Sequence, residues 1–444
     1  MRTYGPRRPD RSRLRLTGLI ALLCGALLPV RAFAAITIAT CDGVANPLPA
    51  GNATTDLEVT GPCEVKAGTY TFRNVNIYRK AGATAGGGAL TFDDANIDFF
   101  AESIVVENHG SLIAGSSSTP IGANGVVTIH LWGAASDHGV TCKADRHCGI
   151  PDPIWDSNLF RSIGRNPRSC KTSPAPLPGD VSDCFYTYDV LDDADAAAKR
   201  RAYFGHKVLA LSYGGILQLF GKKGATYCAS FPCPVNDPEL TPSNAGTSWI
   251  RLNGSLKPGD TSLTVAGKAD WQDGDHIVVT TTDYLPGHSE ELVISGPPVV
   301  GSTTTISFIN ADGVTTGVKW PHNGQAYDYT NVVPARLGLS KTVAETRAAV
   351  ALLTRSIRIV SEGDTPVAHS FTETPGNYFG GHTIVRQGFA SYQVQGVEFY
   401  QLGQGGAMMH YPVHFHLARR TPQPANGLPA VTFVKDSTVH DSMT

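Results

Sequence analysis

Charge is sparse in this chain. Asp, Glu, Lys and Arg make up 17% of its 444 residues, and methionine occurs four times. Long Glu/Lys/Ala/Leu stretches are missing too, which excludes a helical bundle or a coiled coil. Only Ala194–Ala202 and Val343–Thr354 have a helical look. No apolar run reaches the roughly 18–20 residues of a membrane helix, so no transmembrane segment is expected. A Gly-x-Ser-x-Gly elbow is absent, as is a phosphate-cradling glycine loop ending in Lys-Ser/Thr, and with them go the α/β-hydrolase and P-loop classes. Glycine and proline are plentiful, at 47 and 29 residues, and hydrophobic residues reach 41%. That composition excludes wholesale disorder and suits a turn-rich β-protein, as two or three domains or one long solenoid.

Arg2, Arg7, Arg8, Arg11, Arg13 and Arg15 precede the apolar run Leu16–Val30, and Ala32-Phe33-Ala34 offers a small-x-small cleavage site before Ala35. This is the plan of a secretory signal peptide over residues 1–34, and it predicts a secreted, periplasmic or cell-surface protein. The leader holds seven Arg and one Asp; without it 29 basic and 37 acidic residues remain, a net charge of −8. Nucleic acid is therefore a poor partner, and an acidic polysaccharide would need a local basic patch. Cleavage also removes Cys24. The eight remaining cysteines, Cys41, Cys63, Cys142, Cys148, Cys170, Cys184, Cys228 and Cys233, are an even set consistent with four disulfides. Sequence-near pairs are favoured among the 105 pairings. The alternative is a metal site at Cys142-x5-Cys148 with His147, although zinc knuckles usually space their cysteines by about two to four residues.

Residues 66–132 alternate as strands do, through Tyr70/Phe72, Val75/Ile77, Leu90/Phe92, Ile97/Phe99, Ile104/Val106, Leu112/Ala114 and Val127/Ile129/Leu131. A longer period overlies this one. Gly88-Ala89-Leu90 and Gly110-Ser111-Leu112 lie 22 residues apart, and Ile77 and Ile97 lie 20 apart. Ile357, Val397 and Val439 follow at intervals of 40 and 42. Repeats of this size predict the coils of a β-solenoid, with a β-sandwich as the alternative. Residues 133–205 interrupt the pattern with four cysteines, several prolines and an acidic run, and read as a disulfide-tied insertion. The spacing places Thr444 on or beside a coil strand, so an incomplete stack is expected.

Several stretches resemble one family. Val127-Thr128-Ile129-His130-Leu131-Trp132-Gly133 and Gly214-Gly215-Ile216-Leu217-Gln218-Leu219-Phe220-Gly221 are similar to the eight-glycine domain of extracellular proteins. Ser248-Trp249-Ile250-Arg251-Leu252 and Asp270-Trp271-Gln272-Asp273-Gly274-Asp275-His276-Ile277-Val278-Val279 continue it. Leu352-Leu353-Thr354-Arg355, Gly380-Gly381-His382, Val397-Glu398-Phe399-Tyr400 and Tyr411-Pro412-Val413-His414-Phe415-His416-Leu417 resemble the β-helix that follows. The order is that of the cell-migration-inducing hyaluronidase and transmembrane protein 2 family. The resemblance implies an all-β, right-handed parallel β-helix or solenoid, an extracellular setting and, for animal members, calcium-dependent hyaluronan depolymerisation. It divides the chain into a leader (1–34), an eight-glycine domain (35–300) carrying the insertion at about 133–205, and the start of a β-helix (301–444). The insertion and the missing later coils depart from the family pattern.

Two groups of residues could carry chemistry. On a strand, Val413, Phe415 and Leu417 share one face and His414 and His416 the other. With Phe415 in the core the imidazoles project outward together, suited to a metal ion or to proton transfer, with His382 and His440 nearby. The competing reading is a stacked structural ladder of histidines. Asp275 and Asp283 bracket the apolar strand Ile277–Val279 and could act as a carboxyl pair in glycoside hydrolysis, as calcium ligands, or simply as turn formers. Arg251, Arg355, Arg358 and Arg419 are the candidate carboxylate-binding groups for an acidic polymer. The function expected is that of a secreted glycan-active protein hydrolysing an acidic polysaccharide such as hyaluronan. A non-catalytic carbohydrate-binding module and a polysaccharide lyase are the alternatives, and calcium is the candidate cofactor.

Overall fold

The alternating segments become strands because one side of each is apolar and is buried. The computed structural model of the chain describes residues 37–42, 48–79, 86–133, 204, 206–212, 214–227, 244–330, 343–362, 379–386, 388–405, 410–416, 418, 421–422 and 431–442. The leader, the insertion cysteines Cys142, Cys148, Cys170 and Cys184, His147, Ala194–Ala202, Cys228, Cys233 and Arg419 lie outside the described residues.

The chain is all-β and dominated by parallel pairing. Strands stack in three columns. Column A takes the first half of Gly68–Ile77 and of Ile97–Val106, then Val127–Leu131, Ile357–Ser361, Val397–Tyr400 and Thr438–His440. Column B takes Thr37–Cys41, Thr55–Val59, the second halves of Gly68–Ile77 and Ile97–Val106, Val208–Leu211 and His382–Val385, with Phe415 bridged to Val385. Column C takes Pro62–Val65, Ala89–Phe92, Ser111–Ala114, Ile216–Phe220, Ser391–Gln395 and Thr432–Lys435. Columns A and B belong to one sheet of ten strands and column C to a sheet of six. Their inward residues, among them Phe72, Phe99, Val106, Ile129, Leu217, Val385, Tyr392 and Phe399, form one buried cluster. Cys41 and Cys63 close a disulfide across the first rungs.

Registers refine the spacing. Leu90 pairs with Leu112 and Ile357 with Val397, as their intervals of 22 and 40 predict. Ile77 and Ile97 are not equivalent: Ile77 pairs with Val106, and Ile97 with Gly68. Val439 pairs with Phe399 rather than Val397, so the later rung also measures 40 residues, not 42. Where column C turns back into column A between Gln395 and Val397, Gly396 has φ +68, and a Cβ there would stand 2.2 Å from the Gly221 carbonyl oxygen. A side chain fits neither the conformation nor the space.

Longer excursions leave the columns only at corners. Column A passes to column B through Arg73 alone, then through Glu102 alone, but later through residues 132–207, 362–381 and 401–414. These excursions share one corner. At the opposite corner, between columns C and A, an antiparallel unit is inserted. Its sheet joins Trp249–Arg251, Ala349–Leu352, His276–Val279, Glu290–Ile294, Thr304–Asn310 and Ser262–Val265 in that order and runs continuously through residue 300. It has its own core, including Leu263, Trp271, Ile277, Leu292, Phe308 and Val350. The helix expected over Val343–Thr354 is two strands, Val343–Ala344 and Ala349–Leu352. Ala348, Val350 and Leu352 alternate into that core in register with Ile277–Val279, and this packing overrides the helix preference of an alanine-rich stretch.

Candidate functional site

Column A's outward side chains line up across rungs, because parallel strands stack equivalent positions. One row carries Asp98, Thr128, Arg358, Glu398 and Thr438, and the next Phe100, His130, Val360, Tyr400 and His440. At one end His130 stacks on Phe100 with ring centroids 4.0 Å apart, and its nitrogens lie 2.9 Å from Asp98 and from Glu362. At the other end Glu398 accepts two hydrogen bonds from Arg358, Nε at 3.0 Å and Nη2 at 2.8 Å. Its Oε1 lies 3.4 Å from His440 Nε2, while His440 Nδ1 lies 3.0 Å from Asp441. The antiparallel unit adds Glu291, bonded at 2.5 Å to His276 Nδ1.

This chain of charges alternates in sign. Burial pushes the Glu398 carboxyl up, but the close His440 imidazole and the hydrogen bonds from Arg358 outweigh it and hold the group below its ordinary value. Burial likewise opposes a charge on His440, yet its bond to Asp441 and its ion-pair contact with Glu398 raise it to about 9, so the imidazole is a cation at neutral pH. His276 is also raised, chiefly by its bond to Glu291. Tyr400, 5.0 Å from the His440 ring and 5.9 Å from the Arg358 guanidinium, is pushed up to about 12 by burial and by neighbouring carboxylates. Among the described residues, Glu291, His440 and Asp441 are the group whose ligand atoms approach within 4.8 Å of one another. Calcium takes about six to eight oxygen ligands. This group offers two carboxylates and one imidazole toward that number.

The three expected histidines do come together, at the corner between columns A and B. The alternation read from sequence holds in direction. Phe415 packs edge-on against the core rings Phe389 and Tyr392, at 6.0 and 5.0 Å, and His414 and His416 take the other side, 5.1 Å apart. Exposure is where the expectation fails. His416 is 7% and His382 1% exposed, while Phe415 is 37% exposed. Column B is covered on its outward side by the corner segments, so Val208, Ala210, His382 and Ile384, all outward, are buried. His382 Nε2 faces the Phe204 carbonyl at 3.1 Å and its Nδ1 the Gln404 amide at 3.5 Å, a neutral tautomer with both nitrogens engaged. Burial drives His382 well below its ordinary value, and His410, at 4.4 Å, adds to it. Burial, reinforced by Arg386, lowers His416 to about 3. His410 joins this group without having been singled out. His382, His410 and His416 form a buried layer and His414 is half-buried beside them, so the outward-projecting pair expected from sequence is not what the fold presents.

The carboxyl pair expected around Ile277–Val279 is not assembled. Asp275 is buried and ion-paired to Lys223, and it accepts the Gln272 amide at 2.8 Å. Asp283, beyond the far end of the strand, caps its own loop. Arg355 is 1% exposed and spans the junction, donating to the Asp436 and Thr354 carbonyls and to the Ser248 hydroxyl; burial lowers it to about 10. It is a structural tie and cannot reach a polymer. Arg251 donates to the Arg347 carbonyl and lies over Trp249 at 5.2 Å, within the antiparallel unit. Of the candidate arginines described, Arg358 alone stands on column A. Sequence reading passed over the roles of Glu398, Tyr400, Glu291, His276 and Asp441. The 40-residue rung could have found two of them, since it sets Arg358 beside Glu398, and Tyr400 beside His440.

Comparison with known proteins agrees with the family resemblance. Residues 74–147 match the G8 domain and residues 378–444 match the CEMIP beta-helix. Mouse fibrocystin-L is 23% identical over 384 residues, 80% of this chain and 6% of that protein. Mouse cell migration-inducing and hyaluronan-binding protein is 27% identical over 175 residues, 38% of this chain and 11% of its own length. Protein rliB of Dictyostelium discoideum is 26% identical over 219 residues, 49% of this chain and 14% of its length. The chain thus spans less than a fifth of each of these relatives. With both matches in the order that the sequence motifs imply, the chain is related to the G8-domain and CEMIP beta-helix proteins.

Proposed function

We propose that this chain is an extracellular glycan-binding protein that holds a linear acidic polysaccharide such as hyaluronan along the outward face of column A. The observation that carries the reading is the row of ionic and aromatic groups there, with the Arg358 side chain 35% exposed beside Tyr400, whose ring neighbours His440. The carboxylates of this row already have partners, Asp98 and Glu362 in His130 and Glu398 in Arg358 and His440. A planar guanidinium suits a uronate carboxylate, and a flat ring suits a sugar face. The columns are read as faces of a right-handed parallel β-helix, because successive turns visit A, B and C in one order and parallel crossovers are right-handed in about 98% of cases. The leader motif and the buried Cys41–Cys63 bridge favour an oxidising, extracellular setting. A relative that is named as hyaluronan-binding points to the polymer class.

Hydrolysis is the second reading, favoured by Glu291 and Asp441 flanking His440. Glycosidic cleavage by the usual route needs an acid and a base. Glu398 is held anionic, so the His440 imidazolium would be the donor. Incubation of the full chain with end-labelled hyaluronan, followed by electrophoresis, separates the readings. Binding retards the polymer at unchanged length, hydrolysis shortens it, and elimination leaves unsaturated ends absorbing in the ultraviolet. Equal retention of a neutral polymer, or retention unaffected by Arg358→Gln, would remove the column A assignment.

A further inference from the structure

We infer that the loop between His276–Val279 and Glu290–Ile294, together with Trp320, is a second saccharide contact, an aromatic platform on which sugar rings stack; the inference rests on the glycan-binding reading above. Tyr284 is fully exposed, with a relative exposure of 102%, and Leu285 is 55% exposed beside it. Trp320 is 38% exposed and its indole is stacked on His288 with centroids 3.7 Å apart and planes 12° from parallel. Trp271 of the same unit is 3% exposed in its core, so these rings are outside by position, not for want of an interior.

Two carboxylates hold the platform still. Asp283 accepts the Leu285 amide at 2.8 Å, the Thr281 hydroxyl at 2.7 Å and His288 Nδ1 at 2.6 Å, which fixes the loop and sets the imidazole under the indole. Glu290, 5% exposed, accepts the backbone amides of Lys319 and Trp320 and contacts His322 Nε2 at 3.0 Å, fixing the segment that carries the indole. Exposed aromatic rings on a rigid frame lose little entropy on binding. A free loop would instead fold its rings away from water.

The surroundings select a sugar over a protein. A stable protein contact needs about 800 Å² from each partner. Here the exposed apolar groups are two rings and one leucine, linked through Asp283 and His288 and accompanied by the ion pair Lys319–Asp312, a set too small for such a contact. A pyranose presents an area of that size, apolar on its ring faces and polar at its edges. Position agrees as well. The hairpin that carries the loop also places His276 and Glu291 against column A, so a polymer on that face has the platform at the end of the same hairpin.

The test is affinity electrophoresis of the full chain through gels containing hyaluronan. Tyr284→Ala should weaken retention roughly three- to tenfold, and Tyr284→Phe should keep it. Val299→Ala, removing a 72% exposed apolar group on the separate strand Val299–Val300, should change nothing. Trp320→Phe should abolish the saccharide-dependent part of the fluorescence change. Tyr284 touches no core, so the melting temperature should not move. Retention of the parent with no loss in Tyr284→Ala overturns the platform, leaves those rings to a protein partner and spares column A. An equal loss in Val299→Ala overturns it as general apolar adhesion. A parent retained by no polysaccharide overturns both readings.

Discussion

Replacing Glu398 by Gln tests the column A network most directly. The side chain is 4% exposed, and it joins Arg358 on one rung to His440 on the next. Gln keeps the shape and removes the charge. Breaking a buried pair costs about 3–5 kcal/mol, because the partners stay behind unpaired. Arg358 can turn toward water while His440, 15% exposed, cannot, so we expect about 3 kcal/mol. The pH dependence isolates the cause. The folded state raises His440 from 6.5 to about 9, so it binds that proton more tightly than the unfolded chain. The stabilisation is fully present below pH 6.5 and is lost as pH rises through 9. At ~1.4 kcal/mol per pH unit that is about 3 kcal/mol. Urea unfolding at pH 6.5 and pH 10 should show this loss in the parent, a smaller one in Glu398→Gln and none of it in His440→Gln. Proton NMR should find the imidazole of Glu398→Gln titrating closer to 6.5. A parent whose pH dependence matches that of His440→Gln, or a Glu398→Gln protein whose His440 still titrates near 9, would refute the network.

Phe99→Ala removes the ring on which Tyr70, Phe72 and Phe92 pack, with centroids at 6.2, 5.6 and 5.3 Å, and should cost roughly 3–5 kcal/mol by urea unfolding. Phe415→Ala should cost clearly less, since that ring is 37% exposed, and a loss equal to that of Phe99→Ala would contradict its placement. Cys63→Ala opens a bridge of sequence separation 22 and should lower stability by about 3 kcal/mol, with an unchanged midpoint arguing against the bridge. The column B corner should be acid-labile. His382 and His416 are lowered, so their contribution is present above pH 6.5 and is lost as pH falls toward 3. Hydrogen exchange at pH 5, corrected for intrinsic rates, should open Val208–Leu211 and His382–Val385 ahead of Ile97–Phe99, and uniform protection would count against the buried layer.

Much of the fold is legible because inward positions repeat every two residues and rungs recur at fixed intervals. What sequence could not supply is the thickness of the wall. The alternation at His414-Phe415-His416 correctly sends Phe415 toward the core and the histidines away from it. Whether "away" means water depends on residues 204, 206–207, 379–381, 403–405 and 410, which cover the sheet from distant parts of the chain. Asp275 and Asp283 fail for a related reason. Each is consumed within hydrogen-bonding reach, by Lys223 in one case and by its own loop in the other. The Ala349–Leu352 strand was hidden because alanine permits both periodicities, and only its neighbour Ile277–Val279 decides between them.

The same stacking that fixes the rows also explains how they could acquire walls. Val127–Leu131 and Ile357–Ser361 keep five paired positions in parallel register although residues 132–356 intervene. Closing a long excursion costs only about 0.6 kcal/mol more for each doubling of its length, so a rung interface that is already formed can carry a large insertion. The antiparallel unit goes further, since it has a separate core of its own. Excursions are confined to corners, because one placed within a strand would break the ladder. Column A lies between the corner it shares with column B and the corner it shares with column C, with Glu362 reaching His130 from the first and Glu291 approaching His440 from the second. A face bordered on both sides and open along the stack matches a linear polymer better than a compact ligand, and that is the physical ground for placing the glycan there rather than among the buried histidines.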